Sequence, residues 1–224
     1  MNNKKIRQMV ELQNKFNKLV HPEWHKQGYD WRRAIWLESA ELIEHLPWKW
    51  WKAKEPDMQQ VKLELVDIWH FITAWAIENE TPALLENIAS DHNYSPKLGE
   101  TIITSTEEIA KHALLKDLPN TITAFKKTMD FIGMSFNDLY ALYIGKNVLN
   151  KFRQDNGYKA GTYIKMWTDC EKDDVCKEED NDAMMIILAE LKNTDFTFED
   201  LYGKLKERYL RCIEFNTTEQ SYGL

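Results

Sequence analysis

The sequence predicts an all-α fold, a multi-helix bundle, on three observations. Apolar residues recur every three to four positions, as in Ile6, Met9/Val10, Leu12, Phe16 and Leu19/Val20. Only eight Gly and six Pro occur among 224 residues, so long stretches carry no helix breaker. Val, Ile and Thr nowhere alternate with polar residues for long enough to suggest a sheet. The length suits one domain with a sizeable core, read here as residues 1–224 with a variable or mobile helical segment at 81–135.

A first amphipathic helix is expected over 4–20, followed by a loop, HPEWHKQGYD (21–30), with Pro22 and Gly28. Asp30 is placed to cap a helix over 31–46, which Pro47 interrupts. KAKEPD (52–57) breaks the pattern, and Asp57 caps a helix over 58–79. Thr81-Pro82 restarts a shorter helix, and DHNYSPKLGE (91–100) reads as a loop. Helices follow over 101–116 and 119–131; Gly133 then marks a stop and Ser135 a cap for a helix over 136–155. NGYKAGTY (156–163) is a Gly-punctuated turn and CEKDDVCKEEDND (170–182) a charged surface loop. Helices over 182–193 and 197–214 finish the chain.

Composition narrows function. The chain is 43% hydrophobic and 29% charged, as a globular protein should be. A net charge of −7 argues against general nucleic-acid binding, which needs a basic face. Cys170, Cys176 and Cys212 form no CxxC and read as reduced thiols of a cytoplasmic protein. The N-terminus lacks the apolar stretch of a secretory signal, and no apolar run is long enough to span a membrane.

Two apolar stretches carry unexpected acids: Glu38 and Glu41 in WLESAELIEHLPWKWWK, Glu64 and Asp67 in KLELVDIWHF. On a helical wheel Glu38 and Glu41 share an arc with Ala34 and His45. Glu64 and Asp67 share one with Phe71, Ala74, Trp75 and Glu78. The rest of both helices is largely apolar, so burial is expected for the helices and their carboxylates alike. Antiparallel packing would bring four carboxylates together. Like charges about 5 Å apart repel by roughly 3 kcal/mol per pair at an effective dielectric of about 20, so the cluster calls for protons or cations. Oxygen ligands favour hard ions, Mg²⁺ first and Mn²⁺ next. A single ExxE is usually a surface feature. Two pairs in apolar helices, with no Lys or Arg from 63 to 96, favour metal. Asp67-x-x-His70 resembles half of a di-iron site, but the second ExxH is missing, so di-iron is the weaker reading.

A complementary charge row lies in GKNVLNKFRQDNGYKAGTYIKMW. Lys146, Asn150 and Arg153 fall on one helix face, with Tyr158, Lys159 and Lys165 beyond it. Arg forks onto phosphate oxygens and Lys acts as a point charge, so the row suits a polyphosphate, although such rows are often solvated faces. Gln13 and Asn17 share a face of the first helix and can present donor and acceptor to a base edge, or be ordinary surface amides. Trp48, Trp50 and Trp51, with Lys49 and Lys52, suit either a base pocket or the core.

Together LQNKFN, WRRAIWLESAELIEHLPWKWWK, KLELVDIWHF, GKNVLNKFRQDNGYKAGTYIKMW and EEDN resemble the dimeric all-α dUTP pyrophosphatases (dUTPases), within the all-α nucleoside triphosphate pyrophosphatases. The resemblance implies Mg²⁺ ligands at Glu38, Glu41, Glu64 and Asp67; in a hydrolysis that uses them, Glu38 or Glu41 is the expected catalytic base, taking the proton of the attacking water. It implies phosphate contacts from Lys146, Asn150, Arg153, Tyr158 and Lys165. It places Gln13, Asn17, Trp48, Lys49, Trp51, His70, Phe71 and Asn181 around the base and sugar. The segment TDCEKDDVCK before EEDN is longer than the family pattern, which bears on Asn181. The implied activity is hydrolysis of dUTP, and of dUDP, to dUMP by a homodimer, with attack at the β-phosphorus, limiting uracil incorporation into DNA. The residues alone leave α and β attack open, and either amide could flip to suit cytosine. A dCTP or mixed dCTP/dUTP pyrophosphatase is therefore the nearest alternative, and a non-enzymatic metal- or nucleotide-binding helical protein the other class.

Overall fold

The structure is a computed structural model that describes residues 2–89, 98–169, 176–191 and 197–222. Residues 91–97 of the expected loop at 91–100, and 170–175 of the charged run, lie outside the described residues. The chain divides into two compact units, Met1–Tyr143 and Ile144–Leu224.

In the first unit, helix α1 (Asn2–Val20) buries Ile6, Met9, Gln13 and Asn17 along one stripe. Helices α2 (Trp31–Glu44) and α3 (Met58–Glu78) begin where their caps were expected. The Asp30 side chain accepts from Arg33 N–H, and Asp57 from Gln60 N–H. Helix α3 packs against α1, α2 and two later elements. That explains its near-continuous apolar sequence, with Val61, Leu65, Val66, Ile68, Trp69 and Ile72 all sealed from solvent.

The equivalent expectation for α2 is corrected. Helix α2 buries one stripe, Ile35, Ser39 and Leu42, and leaves Trp36 and Leu37 48% and 52% exposed. Its apolar far side is surface. The two helices run antiparallel: Trp31 Nε1 donates to Glu78 Oε2 (3.0 Å) at one end, and His45 Nε2 lies 3.5 Å from Glu64 Oε1 at the other.

After α3 the chain forms 3₁₀ turns over Pro82–Ala89 rather than an α-helix. Leu85 and Ile88, three apart, both point inward there, which suits a three-residue repeat. Helix α4 (Ile102–Leu114) starts with a Thr101/Thr104 capping box, and α5 (Leu118–Phe131) with Asp117. They pair through a buried Thr128–Ser105 hydroxyl bond of 3.1 Å. Helix α4 packs on α2, and α5 on α3 and the 3₁₀ segment. Helix α6 (Phe136–Asp155) contributes its first turns to this unit.

The second unit holds the rest of α6, strands β1 (Met166–Asp169) and β2 (Cys176–Glu179), and helices α7 (Asp180–Leu191) and α8 (Phe198–Tyr222). The strands pair antiparallel from Met166↔Glu179 to Asp169↔Cys176. Part of the charged run is thus strand, where a loop was expected. Four-residue strands are too short for alternation to show in the sequence. The ribbon is held by packing instead: Trp167 is buried beside Phe152 and Tyr209, and Arg208 on α8 bonds Glu178 (2.7 Å).

The turn after α6 depends on Gly157. Its φ is +93°, and an added Cβ would stand 2.1 Å from Thr162 Oγ1. Gly157→Ala should destabilise the protein by about 1–3 kcal/mol in urea unfolding. Gly203→Ala in α8, where a Cβ meets nothing within 4 Å, should stabilise by about 0.5–1 kcal/mol.

Candidate functional site

Helix geometry places Glu38 and Glu41 one turn apart on α2, and Glu64 and Asp67 one turn apart on α3. Because the helices run antiparallel, the pairs face one another. One oxygen each from Glu38, Glu41 and Glu64 lies within 4.8 Å of the others. Asp67 is near enough for its charge to act on Glu38. The expectation that the carboxylates are inside is corrected: Glu38, Glu64 and Asp67 are half-buried, and Glu41 is exposed. The cluster opens to solvent, so a ligand can reach it.

Electrostatics shows the cost of the arrangement. Burial, then the charges of Asp67, Glu64 and Glu41, and a hydrogen bond with Glu64, push Glu38 from 4.5 to about 8. Glu38 therefore keeps a proton at neutral pH and shares it with Glu64. A divalent ion would relieve the same repulsion more fully. Three carboxylate groups within reach of one another, all hard oxygen donors, fit Mg²⁺ or Mn²⁺ in chemistry and in spacing. His45, the C-cap of α2, stands against Glu64 and orients it, a role the wheel suggested only as proximity to Glu41.

One turn beyond Asp67 on α3 lies a buried polar network. His70 Nδ1 meets Gln13 Oε1 at 2.8 Å, Tyr143 donates to the same oxygen at 2.8 Å, and Gln13 Nε2 donates to Asn17 Oδ1 at 2.9 Å. Gln13 and Asn17 are thus neither surface amides nor free rotors. The His70 ring stacks on Tyr143, with centroids 4.1 Å apart, and Phe71 stacks on Trp31 at 6.2 Å. Tyr143 was not singled out by the sequence, since a lone Tyr on an apolar helix face carries no signal. Trp48 and Trp51 pack edge to face on each other at the surface, and Lys49 lies 5.2 Å over the Trp48 ring. No hydrogen bond or ring contact among the described residues joins them to Gln13 or Asn17.

In the second unit, the basic row is not a solvated face. Lys146 and Arg153 are 4% and 9% exposed. Arg153 forks onto Asp180 through Nε and Nη2, both at 2.7 Å, and its Nη1 donates to Asn150 Oδ1 (3.2 Å). Asp180 is fully buried and also accepts from the Tyr163 hydroxyl (2.8 Å). Burial, then the Asp180 charge, push the Tyr163 phenol well above its usual range. Asn181 Oδ1 accepts from Lys146 (3.4 Å) and Arg153 (3.3 Å), so Asn181 stands in this row. Tyr158 and Lys165 are exposed beside it in sequence, on the Gly157 turn and just before β1. Asp180 was missed because one acid inside EEDN looks like any other member of a charge run.

Residues 5–158, well over half of the chain, match the family described as dUTPase. No curated protein matches the chain.

The raised Glu38 pKa fixes a sign. Between pH 4.5 and about 8 the native state holds a proton that the unfolded chain releases, so stability falls as pH rises through that window. The melting temperature of metal-free protein should drop from the acid end of that window to the alkaline end. Added Mg²⁺ should raise it more at the alkaline end, measured by scanning calorimetry.

Proposed function

The chain belongs to the dUTPase family, a family of dUTP diphosphatases, and on that premise we propose that it hydrolyses dUTP, and dUDP as well, to dUMP in a Mg²⁺-dependent reaction. The observation that carries the reading is the convergence of Glu38, Glu41 and Glu64. Together with Asp67 these residues hold the cation, with Mn²⁺ as a substitute. The bound ion supplies charge neutralisation for the phosphate chain and acidity for water.

The chain's own groups do the rest. Glu38 or Glu41 takes the proton of the attacking water; a cation held in the cluster would relieve the repulsion that keeps a proton on Glu38 and leave a carboxylate able to accept one. The water oxygen bonds to phosphorus as a bridging P–O bond breaks, releasing dUMP with pyrophosphate from dUTP or phosphate from dUDP. Lys146, Arg153 and Lys165 stabilise the charge that develops on the phosphoryl oxygens, and Asn150 and Tyr158 bond to them. Asp180 holds Arg153 in one orientation, so little side-chain entropy is lost when phosphate binds. Gln13, Asn17, His70 and Phe71 receive the uracil, with the Trp48–Trp51 segment and Asn181 completing the base and sugar contacts. Removing dUTP limits uracil incorporation into DNA.

We further assign a homodimer. Trp36 and Leu37 on α2, and Trp48, Trp50 and Trp51 after it, are between 41% and 91% exposed. Large apolar side chains so exposed mark a surface that another protein covers. No described helix is long and apolar enough to cross a membrane. Cys212 is a buried thiol, which suits the reducing cytoplasm.

Pyrophosphate release from dUTP with Mg²⁺, abolished by EDTA, tests the activity. Glu38→Gln should lower kcat by at least about 100-fold, with circular dichroism unchanged. A near-normal rate would refute the assignment. Trp36→Glu combined with Leu37→Lys should shift the protein to monomer in sedimentation equilibrium; an unchanged dimer would place the interface elsewhere.

A further inference from the structure

The amides assigned to the base are themselves held by buried partners, one of which, Tyr143, has no place among the base-contacting residues. Gln13 has one carbonyl oxygen and one NH₂ to offer. Its Oε1 faces the Tyr143 hydroxyl and His70 Nδ1, both at 2.8 Å. Tyr143 has one proton and two acceptors near it, Gln13 Oε1 and the Met9 carbonyl at 3.0 Å. The Met9 carbonyl could take a second bond beside its helical one, but Gln13 Oε1 is the shorter contact, so the proton goes to Gln13. With Oε1 receiving two donors, Nε2 is turned to Asn17 Oδ1 at 2.9 Å. Asn17 is then left with Nδ2, which is buried and has no partner.

That orphan donor is the unexplained feature. Buried donors are nearly always satisfied, and an orphan at a ligand site is a group waiting for its acceptor. At ring position 4 uracil carries a carbonyl oxygen and cytosine an amino group, and at the neighbouring N3 the roles of donor and acceptor are exchanged as well. A donor fixed toward position 4 bonds the first base and faces a second donor in the other.

We propose that Tyr143, with His70, sets base selectivity through Gln13 by locking Asn17 as a hydrogen-bond donor toward the 4-oxo group of the pyrimidine. This deepens the reading of Asn17 as a base-contacting residue and rests on it. Tyr143 is a positioning residue. It acts two side chains away from the base, and without its hydroxyl Gln13 is freer to turn over and take Asn17 with it.

The test compares kcat/KM for dUTP and dCTP on the same preparation, because the ratio cancels any loss of folded protein. In Gln13→Glu the carboxylate still accepts from Tyr143 and His70, but it can no longer donate to Asn17. Asn17 then turns Nδ2 toward residue 13 and Oδ1 toward the base, and the dUTP:dCTP ratio should fall by about tenfold or more. Tyr143→Phe should lower the same ratio by about threefold or more, and it carries the test if Gln13→Glu fails to fold. A purely structural role for Tyr143 would depress both substrates alike and leave the ratio unchanged, which overturns the proposal. Asn17→Asp separates the two layers. If it lowers the ratio while the Gln13 and Tyr143 variants do not, the relay is wrong and the base contact stands. If it leaves the ratio unchanged, the base contact itself is wrong and the relay falls with it.

Discussion

The antiparallel contact between α2 and α3 is the constraint on which the first unit depends. It sets Glu38 and Glu41 against Glu64 and Asp67, and the carboxylates so gathered repel one another. At 4.8 Å, a pair of like charges in an effective dielectric of about 20 costs about 3 kcal/mol. The helices do not drift apart because α3 is enclosed by packing on several sides, with Leu65, Val66, Ile68 and Trp69 sealed from solvent. Hydrophobic burial thus holds in place a charge cluster that would otherwise disperse. The proton shared between Glu38 and Glu64 is the metal-free answer to that repulsion, and a divalent cation is the functional one.

Both units fix the orientation of a polar side chain through buried hydrogen-bond partners. In the second unit Asp180, fully buried, grips two nitrogens of Arg153 and takes a third bond from Tyr163. In the first, Tyr143 and His70 grip Gln13, and Gln13 grips Asn17. A buried polar group with one partner missing is expensive, so each chain of bonds admits essentially one arrangement. Orientation is what an enzyme needs from such groups, since a rotamer fixed beforehand is not an entropy loss when substrate binds.

Much of the site was legible in local sequence. Glu38-x-x-Glu41 and Glu64-x-x-Asp67 declare themselves because i, i+3 spacing puts two acids on one helix face whatever the tertiary context. Asp30 and Asp57 announce α2 and α3 because a cap is a local interaction. Less legible was anything that depends on which face meets which neighbour. Helix α2 reads as apolar all round, yet only the Ile35–Ser39–Leu42 stripe is covered within the unit. The β1–β2 ribbon is invisible for the same reason: its partners are Trp167's aromatic neighbours and Arg208, far along the chain.

By itself, then, the sequence determined the helices, their starts, and the acids and bases each would display, because those follow from spacing and capping within a few residues. The tertiary structure alone decided that Glu41 is at the rim and not inside, and that Lys146 and Arg153 are buried rather than solvated. It also decided that Asp180 is the partner of Arg153 and Tyr143 the partner of Gln13. Burial and hydrogen-bond partnership across long sequence separations are properties of the packed whole. Tyr143 lies 130 residues from Gln13, and no local pattern encodes which of its neighbours a phenol will find.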